Sequence, residues 1–289
     1  MARRWYKNFL IMLCCLTGCA QVSKAEGIQH WAVYYNNTLP AADFAGLDLV
    51  VFDRRYHPDF AVLQPNTLVL AYVSMGEVYE DVPEKVDLEN NNLLLFKNKV
   101  WNSHAVDLTS PLWRRMVMEY VDDAIARGFD GVMLDTVDSP LAWARAVSPD
   151  RCDTMRAAAV NIINEIRIKY PDKKIMLNHG FSILNEAAPD LDYVLAESIL
   201  TQKDNFTGQF RWLSAKAYAD AVAQLHQIIA RTEKLQVLTL DYWNVDDGDG
   251  VERIYKQQRA HGFIPYVTTP ELTRFTPEKP KHEPSAPGV

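Results

Sequence analysis

The chain has 289 residues, 48% of them hydrophobic and 23% charged, with 12 glycines and 15 prolines. That balance excludes a disordered, collagen-like or low-complexity chain and allows a sizeable buried core in one large domain or two small ones. A formal charge of −7 without basic blocks argues against nucleic acid as the main partner and leaves a small molecule, a polymer or a protein.

In chain order, residues 2–7 carry Arg3, Arg4 and Lys7, and residues 8–17 are almost wholly apolar. A basic start before a short apolar run reads as a secretory leader, too short to span a bilayer. The run ends Leu16-Thr17-Gly18-Cys19, which resembles the lipobox of bacterial lipoproteins. The resemblance implies cleavage before Cys19, a lipid on its thiol and a membrane-anchored place in the cell envelope, with Ala20 favouring the outer membrane. The alternative is an ordinary signal peptide cut near Ala20 or Ala25. Residues 1–18 are therefore expected to form the leader and 19–28 a tether. Losing the leader's three positive charges takes the formal charge from −7 to −10. With Cys14 and Cys15 in the leader and Cys19 acylated, Cys152 is alone in the mature chain, so neither an internal disulfide framework nor a cysteine-type zinc site is available.

Eight apolar, β-rich runs follow, at residues 30–35, 47–53, 67–77, 129–135, 174–180, 191–197, 235–242 and 263–268. Each is nearly continuous instead of alternating, as expected of parallel strands covered on both faces. Between them, residues 150–170 place Met155, Ala158, Ile162, Ile166 and Tyr170 at helical spacing. Residues 214–231 do the same with Tyr218, Ala221, Leu225 and Ile228. Gly128 and Gly262 stand where helices would end in left-handed caps before the next strand. Eight strand–helix units over residues 29–272 predict an α/β fold, a single-domain (β/α)8 TIM barrel. A doubly wound sheet is the rival, but no G-x-G-x-x-G follows the first strand. The remaining 273–289 read as a Pro-rich tail, unpacked from Pro277 onward.

Active sites of such barrels form where strands end and βα-loops begin. The predicted strand ends carry Tyr35, Asp53, Glu77, Asp135 with Asp138 beyond it, Asn178-His179, Glu197, Asp241-Tyr242-Trp243 and Thr268. Carboxylates thus cap five of the eight strands, and with apolar strand interiors they converge only at one rim. Glycoside hydrolysis suits such a ring, because it needs one carboxylic acid to protonate the leaving oxygen and one carboxylate to attack or to activate water. Tyr35, Tyr72, Tyr242 and Trp243 are candidate platforms for sugar rings. Asp53, Glu77, Asp138 and Asp241 are candidate substrate-binding carboxylates, suited to a cationic amino sugar. Asn178 and His179 are candidate partners of sugar hydroxyls. Each carboxylate could instead serve a structural ion pair, as Asp53 could with Arg54, and each aromatic could be a lid on the core.

Other chemistries lack parts. There is no H-x-H or H-E-x-x-H for a metal site, no G-x-S-x-G elbow and no glycine-rich phosphate loop. The acidic run Asp246-Asp247-Gly248-Asp249-Gly250 lacks the ligand spacing of a calcium loop and reads as a turn and helix N-cap. No metal or cofactor is expected.

The segments AYVSMGE (71–77), ARGFDGVMLDTVDSP (126–140), LNHGF (177–181), LAESI (195–199) and TLDYWN (239–244) resemble glycoside hydrolase family 114. This is the endo-α-1,4-polygalactosaminidase family, which includes the hydrolase domain of the Pel polysaccharide-processing enzyme. The likeness covers about residues 30–270. It implies a (β/α)8 glycosidase acting on α-1,4-linked galactosamine-rich exopolysaccharide, with export proteins as possible partners. It also implies that the catalytic pair is Asp135 and Glu197. Their expected roles are nucleophile or stabiliser for Asp135 and general acid/base for Glu197. A non-catalytic carbohydrate-binding lipoprotein and a barrel glycosidase of other specificity are the alternatives.

Overall fold

The computed structural model describes residues 27–204, 207–232 and 234–278. The leader, Cys19, most of the tether and the chain beyond 278 lie outside the described residues. Eight strands form one parallel sheet in chain order: β1 (Trp31–Tyr34), β2 (Leu49–Asp53), β3 (Leu68–Ser74), β4 (Gly131–Asp135), β5 (Lys174–Asn178), β6 (Tyr193–Glu197), β7 (Gln236–Tyr242) and β8 (Ile264–Thr268). The sheet curls into a nearly closed (β/α)8 barrel. At the seam between β1 and β8 the Trp31 indole Nε1 donates to the carbonyl of Ile264 (2.9 Å), and beyond the strand ends the backbone N–H of Tyr35 donates to the carbonyl of Leu272 (2.7 Å).

Helices cover the outside: α1 (Glu84–Asn90), α2 (Pro111–Ala126), α3 (Asp138–Val147), α4 (Pro149–Lys169), α5 (Leu184–Ala187), α6 (Ala215–Ile229) and α7 (Gly248–Ala260). Met155, Ile162 and Ile166 of α4 are buried, as their spacing predicts. Gly128 (φ 96°) and Gly262 (φ 75°) adopt the expected left-handed conformation. Asp247 caps α7, its Oδ1 accepting from the N–H of Gly250 (3.1 Å), so the acidic run serves as a helix start. Among the described residues no helix is long and apolar enough to cross a membrane.

Three features differ from the sequence expectation. The β1–β2 and β2–β3 links carry only the 3₁₀ turns Ala41–Phe44 and Ala61–Leu63. Pro40, Pro58 and Pro65 break up these short links, and aromatic packing of Phe44, Phe52, Phe60 and Phe129 covers the strands in place of a helix. The third predicted strand stops at Ser74, and Glu77 opens an insertion. There the short strands Glu77–Tyr79, Leu94–Asn98 and Ser103–Val106 form an antiparallel sheet beside α1. Finally, the start of the tail is packed. The Phe275 ring lies 4.8 Å from that of Phe44, Thr276 Oγ1 donates to the carbonyl of Val267 (2.6 Å), and Glu278 pairs with Arg259 (2.5 Å). An apolar ring and a guanidinium give this stretch partners that its proline content did not announce.

Candidate active site

Side chains alternate along each strand, so every second residue points into the barrel. Val33, Met133, Leu195 and Leu240 form an apolar layer inside. Tyr35, Asp135, Glu197 and Tyr242, each two residues further on, form the polar layer above it and line a cavity of about 340 Å³. Tyr72, Glu77, Asp138, Asn178 and His179 line the same cavity. Nine of the expected residues are thus brought together around one opening.

Asp53, Asp241 and Trp243 are not among them. On β7, Leu240 and Tyr242 face inward, so Asp241 faces outward. Its oxygens accept from the backbone N–H of Leu200 (3.1 Å) and Thr201 (2.8 Å) and from Gln258 Nε2 (2.5 Å). Burial pushes its pKa up to about 6 despite these donors. Trp243 points away too, its Nε1 donating to Asp247 Oδ2 (2.8 Å) and its ring packed 5.1 Å from that of Trp212. Asp53 caps the turn after β2, accepting from the N–H of Arg55 (2.7 Å) and Tyr56 (2.8 Å). Its neighbour Arg54 is taken by Asp123 (2.5 Å) instead.

The centre of the cavity is organised by Asn178, which is 4% exposed. Its Nδ2 donates to Asp135 Oδ1 (2.8 Å) and to Glu197 Oε2 (2.7 Å). Two oxygens bound to one nitrogen are separated by at most the sum of those distances, 5.5 Å. Tyr242 fixes the other side of the pair, its hydroxyl donating to Glu197 Oε1 (2.8 Å). Among the described residues the buried Asn178 Oδ1 has no partner, a cost accepted in order to aim the amide nitrogen at both carboxylates. Burial first, and the negative charge of Glu197 second, push Asp135 up to about 6; hydrogen bonds from the Thr136 backbone, Asn178 and Tyr72 pull the other way. Tyr35 and Tyr242, buried among these carboxylates, are held well above the usual phenol range and remain neutral donors.

The backbone turns sharply where these groups stand. Thr136, His179 and Ser198, each directly after Asp135, Asn178 and Glu197, have φ of 69°, 53° and 52°. A β-branched residue resists that conformation, and Thr136 is held there by side-chain bonds. Its Oγ1 donates to the carbonyl of Asp135 (2.6 Å), accepts from the N–H of Gly76 (2.9 Å) and meets Ser74 Oγ (2.8 Å). Position 76 has to be glycine, because a Cβ there would sit 2.1 Å from the Thr136 carbonyl oxygen.

The cavity is acidic. Glu77, Asp135, Asp138, Glu197 and Glu271 line it, and none of its lining residues is a lysine or arginine. Glu271, held down to about 2 chiefly by its bond to Lys203 (2.9 Å), is the one with a cationic partner among the described residues. Among the described residues no group of His, Cys, Asp and Glu could hold a metal ion. Ser74, Thr136, Asn98, Trp101, Ser139 and Glu271, none of them marked as a site residue by the sequence pattern, also line the cavity. Asn98 and Trp101 belong to the insertion, whose only signal was a polar turn with one tryptophan between two short β-rich runs.

The family model of glycoside hydrolase family GH114 matches residues 17–281. The fold superposes on the glycoside hydrolase domain of PelA from Pseudomonas aeruginosa with a TM-score of 0.76 and 25% identity, covering 86% of this chain and 97% of that one. It also superposes on Aspergillus fumigatus Ega3, solved in complex with galactosamine, with a TM-score of 0.63, 15% identity and coverage of 88% and 97%. An uncharacterized protein of Thermotoga maritima is 24% identical, over 91% of this chain and 88% of its own length.

Proposed function

Because the chain belongs to glycoside hydrolase family GH114, we propose that it is an endo-acting glycosidase that cuts α-1,4-linked galactosamine-rich polysaccharide with retention of configuration. The observation that carries the mechanism is the shared amide of Asn178. One oxygen of each carboxylate binds the same nitrogen, so those two oxygens stand no more than 5.5 Å apart, which favours the close pair of a retaining enzyme, about 5–5.5 Å, over the roughly 6.5–9.5 Å that leaves room for water between an inverting pair. Asp135, ionised above about pH 6, attacks the anomeric carbon. Glu197 protonates the departing oxygen, then removes a proton from the water that releases the glycosyl-enzyme. Tyr242 and Asn178 hold the two carboxylates in register.

The substrate class rests on charge. Four of the five cavity carboxylates have no cationic partner among the described residues, so a cation entering the cavity gains Coulomb energy with no described protein cation to displace. A polymer of amino sugars supplies one ammonium per deacetylated unit. The galactosamine bound to Ega3 belongs to that class. Placement at the cell envelope, through a lipid on Cys19, completes the proposal and brings the barrel to an exported polymer.

Partially deacetylated galactosaminan and chitosan, incubated with the protein and sized by chromatography, test the function. We expect shortening of the first alone, and a loss of about 10³-fold or more in kcat with either Asp135→Asn or Glu197→Gln. Cleavage that survives both substitutions contradicts the site. Binding without cleavage by the unaltered protein contradicts the activity and supports a carbohydrate-binding lipoprotein.

A further inference from the structure

Asp241 is fully buried on the outer face of β7, away from the cavity, yet it binds the stretch of chain that leaves Glu197. β6 ends at Glu197, opposite Leu240 in the ladder. Ser198 then takes a φ of 52° and donates its N–H to the carbonyl of Leu240 (2.7 Å). Beyond it the N–H groups of Leu200 (3.1 Å) and Thr201 (2.8 Å) both donate to Asp241 Oδ1. The chain from Glu197 to Thr201 is thus pinned to two consecutive residues of β7.

The next residue of the same strand holds the side chain. Tyr242 donates to Glu197 Oε1 from inside the barrel (2.8 Å). Glu197 is therefore gripped by β7 twice, at its carboxyl group from the inner face and through its following backbone from the outer one. The outer grip is itself braced. Asp241 Oδ2 accepts from Gln258 Nε2 on α7 (2.5 Å), and Gln258 Oε1 accepts from the Tyr218 hydroxyl on α6 (3.1 Å). A carboxylate suits this place because its two oxygens accept from three N–H groups at once, and bonds to an ionised acceptor are the stronger kind. Burying it among neutral donors is costly. What that charge fixes in place is the backbone directly behind the proposed acid.

We infer that Asp241 is a positioning residue for the reaction: by clamping Leu200 and Thr201 to the outer face of β7 it holds Glu197 where it protonates the leaving oxygen. This inference rests on Glu197 as the acid of the proposed mechanism and adds the residue that keeps it aligned. Asp241 does not line the cavity, so it acts through Glu197 and not on the substrate. Proton transfer depends steeply on alignment, and a displacement of about 1 Å can cost about 10²-fold in rate. Binding of the polymer does not depend on that alignment.

Leaving-group dependence tests this on the full chain. The parent, Asp241→Ala, Asp241→Asn and Glu197→Gln are compared on galactosaminan, whose leaving sugar needs a proton, and on an aryl galactosaminide whose leaving group needs none. For Asp241→Ala we expect kcat on the polymer to fall about ten- to a hundredfold with KM changed by less than about threefold. Its kcat/KM on the aryl glycoside, which reports the first chemical step, is expected to stay within about twofold of the parent. That is the pattern of Glu197→Gln in milder form. Asp241→Asn keeps one accepting oxygen and is expected to lose only about threefold on the polymer and nothing on the aryl glycoside. Thermal unfolding identifies any variant that has lost its fold, and the asparagine variant carries the test if the alanine one has. Equal losses on the two substrates, or polymer turnover undiminished in every folded Asp241 variant, overturn the positioning role and leave the proposed activity standing. A parent that cleaves neither substrate overturns the proposed activity and this inference with it.

Discussion

Asp135 takes its character from two neighbours that act in opposite senses. The negative charge of Glu197, added to burial, raises its pKa to about 6, while Asn178 and the Thr136 backbone stabilise its ionised form. As the proposed nucleophile, Asp135 must be ionised, so turnover is expected to rise with pH through about 6. Glu197→Gln removes the second cause of that shift. The rising limb in that variant should therefore move to lower pH, as read from the pH dependence of kcat/KM on an aryl galactosaminide whose leaving group needs no acid. A limb that stays in place or moves up contradicts the electrostatic coupling. The same shift acts on stability with the opposite sign to a salt bridge. Because the folded pKa is raised, the fold loses stability as pH rises from about 4 to about 6, and the loss is constant above that. The carboxylates themselves were legible from their places at strand ends, but two refinements were not. Strand parity put Tyr242 inside and Asp241 outside, a period-2 argument that treating the strand end as a single unit obscured. Nothing in Asn178 as a residue type foretold that one amide would bridge Asp135 and Glu197.

Among the elements, the junctions between βα-loops carry the structural load around the site. Asp241 shows how an apparent active-site carboxylate serves the scaffold instead. From the outer face of β7 it clamps the backbone after β6 at Leu200 and Thr201 and reaches α7 through Gln258. Asp241→Ala is expected to cost about 2–4 kcal/mol in urea unfolding, because it removes the acceptor of two buried N–H groups and of Gln258 Nε2. Asp241→Asn keeps an accepting oxygen for the backbone and should recover more than half of that loss. A change below about 0.5 kcal/mol in the alanine variant contradicts the clamp. Most elements could be read in advance: the near-continuous apolar runs marked the strands, the 3.6-residue spacing marked α4 and α6, and glycines marked two helix ends. The insertion could not, since strands of three to five residues are too short to show a period. The 3₁₀ links after β1 and β2 escaped because the expected strand–helix rhythm was carried over to segments that prolines interrupt.

Across the whole molecule, closure of the barrel determines which polar groups meet. Eight strands tilted around one axis bring residues from β1, β3, β4, β5, β6 and β7 to a single mouth, and the insertion after β3 raises one side of it. Five carboxylates gather there, in a cavity whose lining includes no lysine or arginine. Strand count and fold class followed from the sequence pattern. The choice of Asp135 and Glu197 among five strand-end carboxylates came from family resemblance, because no pattern within one sequence reports which side chains will face each other across a barrel.

Everything in the mechanism depends on those two carboxylates standing close enough for one to attack the sugar while the other protonates its leaving group. Proton NMR of galactosaminan during the first minutes of cleavage, before mutarotation equilibrates the new reducing ends, reads the outcome directly. A separation within 5.5 Å predicts that the α-anomer appears first. Initial appearance of the β-anomer would mean a single displacement by water and would contradict the double-displacement site described for Asp135 and Glu197.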